Sequence, residues 1–157
     1  MNTARQTTWI VLFWAVMHAA WASDVQIQDP YVRAVPPGQR VTAAFFVAVN
    51  ASTQPRAIVK AQTDTAERAE LHEHIHDGGV MRMREVPRVV IPAGGRLAFE
   101  PGGYHVMLIG LKRALQPGER IDLTLVLDDG SRITVHPEVR RVQPHSGAAH
   151  QHHSTNH

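Results

Sequence analysis

The stretch Ile121-Asp122-Leu123-Thr124-Leu125-Val126-Leu127, Asp128-Asp129-Gly130, Ser131-Arg132-Ile133-Thr134-Val135 sets two short β-rich runs on either side of a turn tripeptide. Val, Ile and Thr are stiff at χ1 and suit a pleated strand, while Asp and Gly supply the backbone a hairpin turn needs. The pattern recurs outward from there. Val25-Gln26-Ile27 stops at Asp29-Pro30, and Val41 to Val49 follows Pro36-Pro37-Gly38. Ala57 to Ala61 follows Asn50-Ala51-Ser52, and Glu70 to Ile75 and Val80 to Arg84 flank Asp77-Gly78-Gly79. Val89-Val90-Ile91 ends at Pro92, Arg96 to Phe99 ends at Pro101-Gly102-Gly103, and Tyr104 to Ile109 follows. No stretch carries the 3.6-residue period of a capped helix, and no internal repeat is present. The expectation is an all-β, single-domain antiparallel sandwich or barrel.

Composition narrows the chemistry. The chain has 157 residues, 43% hydrophobic and 19% charged, the profile of one folded domain. Lys and Arg number 16 against 14 Asp and Glu, and the Arg residues are scattered, so no basic stripe for nucleic acid exists. There is no cysteine, which excludes disulfides, thiolate zinc sites, iron–sulfur clusters, cysteine nucleophiles and blue copper. Histidine stands out at 11 copies.

Residues 1–22 read as a signal peptide. Arg5 gives the positive start, Trp9 to Met17 an apolar core too short to span a bilayer, and Ala20-Trp21-Ala22 a small-x-small cleavage site. No later segment could cross a membrane, which predicts an exported protein in the periplasm. Residues 23–143 form the expected β-domain. Residues 144–157 are polar, lack Val, Ile and Leu, and carry His145, His150, His152, His153 and His157, a flexible His-rich tail by composition.

After the leader only Met81, Met83 and Met107 remain, each near a His. They fall in a pattern: His72, ten residues, Met83, twenty-one residues, His105, one residue, Met107. On a strand, i and i+2 share a face, so His105 and Met107 point one way, as do His72, His74 and His76, and as do Met81 and Met83. A two-residue turn at Asp77-Gly78 sets His72 opposite Met83 and His74 opposite Met81. A two-residue turn at Gly78-Gly79 sets His74 opposite Met83 instead. Either keeps His and Met on one face. Two imidazoles and two thioethers form a soft, neutral donor set that suits Cu(I) better than Zn(II), Mg(II) or Ca(II). Thioethers need no deprotonation, so such a site works in an oxidising compartment.

The segments Glu70-Leu71-His72, Gly79-Val80-Met81-Arg82-Met83, Ile91-Pro92-Ala93-Gly94-Gly95 and Pro101-Gly102-Gly103-Tyr104-His105-Val106-Met107-Leu108 resemble the periplasmic PCu(A)C-type copper chaperones. The likeness runs from about Ala34 to Val135, with Tyr31-Val32-Arg33 where that family often has Trp-x-Arg. The resemblance implies a cupredoxin-like Greek-key β-sandwich holding one Cu(I) through His72, Met83, His105 and Met107. It implies no enzyme activity of its own, and delivery of copper to an acceptor protein, the CuA centre in cytochrome c oxidase subunit II or another copper chaperone. His74, His76 and Met81 are neighbours outside that motif. The tail histidines could take Cu(II), which favours nitrogen donors.

Two other classes compete. A zinc or nickel buffer would use His72, His74, His76 and the tail. A copper redox enzyme would need electron-transfer or nucleophile–base signals that the sequence lacks. Glu70 and Glu73 are read as solvent-facing, Arg33 as a structural cation, Tyr104 as a shield or packing residue, and His136 as the end of a strand.

Overall fold

The computed structural model describes residues 24–141, so the leader read at 1–22 and the tail read at 144–157 lie outside the described residues. Within them are eleven strands and no helix. In chain order they are β1 (Val25–Arg33), β2 (Val41–Asn50), β3 (Arg56–Gln62), β4 (Ala66–Asp77), β5 (Val80–Glu85), β6 (Val89–Ile91), β7 (Arg96–Phe99), β8 (Tyr104–Leu111), β9 (Leu123–Leu127), β10 (Arg132–Val135) and β11 (Glu138–Arg140). They form a seven-stranded sheet in the order β11-β1-β2-β7-β8-β4-β5 and a four-stranded sheet in the order β10-β9-β3-β6. The chain repeatedly crosses between the sheets, as from β2 to β3 and from β3 back to β4, which makes an all-β sandwich with non-local connections.

The core lies between the sheets. Val32, Ala44, Phe46, Leu71, Val106 and Leu108 face it from the larger sheet. Ile58, Ile91, Leu123, Leu125 and Leu127 meet them from the smaller one. Strand β9 alternates buried and half-buried residues, the period of a strand with one covered face. Strand β2 is buried on both faces at its centre. Phe46 stacks on Phe99 inside the core at 4.2 Å between centroids, while Phe45 faces outward and is buried under Tyr31, Arg33 and His105. That second, smaller apolar patch on the outer face becomes the floor of the site.

Both hairpin turns follow from their residues. Asp128-Asp129-Gly130 is a three-residue loop with Gly130 at φ +82, closed by Gly130 N–H donating to the Leu127 carbonyl at 2.9 Å. Asp77 pairs with Val80, leaving Gly78 (φ +57) and Gly79 (φ +82) as a two-residue turn of the I′ kind. Asp29-Pro30 differs from its reading as a strand end. Strand β1 runs on through it with a register shift between Gln28 and Tyr31, and Asp29 sits at φ +47. A bulge tolerates the missing proline N–H, so the strand survives. The short β11, parallel to β1, carries too little apolar pattern to announce itself.

Candidate metal centre

The register of the β4–β5 hairpin decides which side chains meet. Fixed by the Gly78-Gly79 turn, it sets His74 opposite Met83 and His76 opposite Met81. On the other side of β4, His72 faces His105 and Glu70 faces Met107. Directly opposite residues share a face. His72, His74, His76, Met81, Met83, His105 and Met107 therefore all stand on the outer face of the seven-stranded sheet, the face away from the core. Of the two turn registers open to the sequence, the fold adopts the one that pairs His74, not His72, with Met83.

His105 is the anchor. It is 2% exposed, packed over Phe45 with ring centroids 6.3 Å apart. Its Nδ1 lies 3.2 Å from the Gly103 carbonyl, and its Nε2 lies 3.1 Å from Met83 Sδ. A carbonyl can only accept, so Nδ1 carries the proton and donates it. In the neutral ring Nε2 then holds a bare lone pair, aimed at a sulfur that also offers lone pairs. Burial is the largest influence on this imidazole and pushes its pKa below the ordinary value, with the positive charge of protonated His74 and His72 acting the same way and the Gly103 bond opposing. The ring is thus held neutral and oriented, the state a metal ligand requires.

His72 is arranged by the same logic with the nitrogens exchanged. Its Nε2 donates to Glu70 Oε2 at 3.0 Å, and its Nδ1 is buried without a hydrogen-bond partner. His74 Nδ1 is likewise buried and unpartnered. Each such orphan imidazole nitrogen is costly unless something supplies it with a partner. The ring of His105 lies 5.8 Å from that of His72 and 5.0 Å from that of His74. This corrects the reading of Glu70 as solvent-facing: it is two residues from His72, shares its face, and orients it. Glu73, one residue away, does alternate with His72 and accepts from Arg84, but it too is half-buried and not solvent-facing as read.

The cluster opens into a pocket of about 400 Å³ whose lining includes His74, Met81, Met83, His105 and Met107. Met83 is 46% exposed and Met81 55%, so both thioethers can be reached from solvent. Arg33 lines the same pocket, 5.8 Å above the Phe45 ring, and is better described as a rim cation than as a structural one. Among the described residues no group of three or more His, Asp or Glu side chains is gathered as a metal cage. What the fold gathers is a mixed nitrogen and sulfur set. Tyr104 packs on the core near Phe99, and His136 follows β10 and pairs with Asp122, so neither joins the cluster. The roles of Glu70, Gly103 and Phe45 escaped the sequence reading. Glu70 alone was detectable, by its i−2 spacing from His72.

Residues 25–139 match the family described as "Putative lipoprotein LpqE-like". A putative lipoprotein of Leifsonia xyli subsp. xyli is 38% identical over 111 residues, 70% of this chain and 66% of that protein. An uncharacterised protein of Rickettsia prowazekii is 27% identical over 106 residues, 67% of this chain and 59% of that one. The chain therefore spans less than two thirds of the length of either curated relative. Among solved structures, the solution structure of Cu(I)-DR1885 from Deinococcus radiodurans is 41% identical, with a TM-score of 0.64 over 81% of this chain and 85% of that one. The copper-bound PCuAC domain from PmoF2 superposes with a TM-score of 0.64 over 76% of this chain and 95% of that one at 19% identity, which supports the cupredoxin-like sandwich. By fold and sequence together, the chain belongs to the LpqE-like family, that of the PCuAC domains.

Proposed function

We propose that this protein is an exported, non-enzymatic carrier of Cu(I), holding one ion through His72, Met83, His105 and Met107 and passing it to an acceptor by ligand exchange. The observation that carries the reading is the approach of His105 Nε2 to Met83 Sδ at 3.1 Å, with Nδ1 tied to the Gly103 carbonyl. Two donors of one first-row ion stand about 3.5 Å apart when bond lengths are near 2.0 Å to nitrogen and 2.3 Å to sulfur. The pair is a few tenths of an ångström from that spacing before any ion enters. His72 offers its unpartnered Nδ1, and the Glu70 carboxylate behind its other nitrogen fixes the tautomer and the orientation of the ring. Met107 completes a neutral, soft set. The Cu(I)-bound relative at 41% identity supports the choice of ion.

The arrangement also suits release. His105 is buried and fixed, whereas Met83 is on the exposed strand β5. An incoming donor can replace the thioether first while the imidazoles still hold the ion. Only the imidazoles compete with protons, so affinity depends weakly on pH above neutrality. The acceptor is a copper protein of the same compartment, the CuA centre of cytochrome c oxidase subunit II or another copper chaperone. Export through residues 1–22 places the carrier in the periplasm, and the His-rich tail takes Cu(II). The 157 residues contain no cysteine to bear a thioether-linked lipid.

Anaerobic competition of the apo-protein against a Cu(I) chelator tests this. A 1:1 complex weakened about tenfold or more by Met83→Leu and by Met107→Leu is expected. A complex indifferent to both substitutions, or zinc binding that survives them as the only metal affinity, rejects the site.

A further inference from the structure

The β4–β5 hairpin carries more donors than one site needs, and it orders them by exposure. Nearest the centre, His72 faces the buried His105. One step outward His74 faces Met83, and one more step outward His76 faces Met81. Each step is two residues along a strand, about 7 Å. His72 and His74 are half-buried, His76 is exposed, and Met81 is, among the described residues, the most exposed large apolar side chain at 55%. A flexible thioether left in water on an edge strand gains nothing by packing. His74, whose Nδ1 is buried without a partner, stands in the register between His72 and the outer pair.

We propose that His76 and Met81, with His74 behind them, form a second and weaker Cu(I) station on the hairpin, through which the ion enters and leaves the inner site. This rests on the inner site binding Cu(I) as argued above. Opposite residues on one face bring their Cβ atoms to about 5 Å, within reach of one ion for an imidazole and a thioether. Their exposure makes this site quick to load and to empty. His74 then belongs to both rungs, since Met83 of the inner site is its direct neighbour and His76 and Met81 are the next pair along. The type I′ turn at Gly78-Gly79 makes the arrangement possible, because it pins the register that stacks nitrogen against sulfur twice in succession.

The test uses the full exported chain labelled with 13C at the methionine methyl groups, titrated anaerobically with Cu(I) well past one equivalent. No methionine follows Met107, so copper taken by the tail is silent in this readout. Met83 and Met107 methyl signals should shift with the first equivalent, and the Met81 signal in a separate, later step. His76→Gln should weaken that later step about tenfold or more and leave the first unchanged. A Met81 signal that never moves, that moves together with Met83, or that moves identically in His76→Gln overturns the outer station. Silence of Met83 and Met107 instead overturns the inner site, and is read on different signals.

Discussion

The imidazole of His105 points its bare Nε2 at Met83 Sδ across 3.1 Å, with its other nitrogen donating to the Gly103 carbonyl. Two lone pairs held face to face are an unfavourable contact in the empty protein and a favourable one around a cation. The backbone creates this state: Gly103 lies in the turn that delivers β8, and the carbonyl that fixes the ring belongs to the same turn. Ligand readiness is thus built by the loop before the strand and not by the donors themselves.

Glu70 is a positioning residue for His72. Glu70→Ala should lower Cu(I) affinity about tenfold, the usual cost of losing an outer partner of a ligand histidine. Glu70→Gln retains an acceptor oxygen for His72 Nε2–H and should recover part of the loss. Chelator competition on the two variants side by side reads the difference, which a merely structural role would not produce.

Burial lowers the pKa of His105, so the folded apo-protein binds its proton at lower pH than the unfolded chain does. Between that lowered value and 6.5 the unfolded state carries more protons, and stability rises with pH. His105 therefore contributes stability at neutral pH that is lost as pH falls from 6.5 towards the folded value. An imidazole NMR titration should give a His105 midpoint below 6.5, the ordinary histidine value, and the apo-protein's Tm should fall on acidification through this window.

Asn50 is a buried hub. Its Nδ2 donates to the carbonyls of Gln54, Ile91 and Pro92 at 2.8, 3.3 and 3.2 Å, and its Oδ1 accepts from Ser52 N–H and Oγ–H. Asn50→Asp keeps the shape but turns the donor into an oxygen facing three carbonyl oxygens. A loss of about 3 kcal/mol or more in urea unfolding is expected.

Gly79 sits at φ +82 in the hairpin turn. Gly79→Val should cost about 1–2 kcal/mol and loosen the pairing of His74 with Met83. The nuclear Overhauser contact between the Met83 methyl and the His105 ring should weaken, and Cu(I) affinity should fall without loss of the sandwich.

Most of the architecture was legible because the strands are short, rich in Val and Ile, and punctuated by Gly, Pro and Asp. The donors were legible because methionine is scarce after residue 17 and spaced against histidine in twos. What stayed hidden lies in relations that spacing does not encode. The sequence allowed two turn registers, and only the positive φ at both Gly78 and Gly79 selects the one that pairs His74 with Met83. Pro30 looked like a stop because its tolerance at a bulge depends on the neighbouring strand. β11 depends on a parallel partner over a hundred residues away in sequence. The proton on His105 Nδ1 is set by a backbone carbonyl, which leaves no mark on residue identity.

The most direct test of the central claim is X-ray absorption at the copper edge of the protein loaded with one equivalent of Cu(I). Two sulfur scatterers near about 2.3 Å and two nitrogen scatterers near about 2.0 Å are expected, with one sulfur lost in Met83→Leu. A first shell of nitrogen and oxygen alone, unchanged by that substitution, would contradict the account.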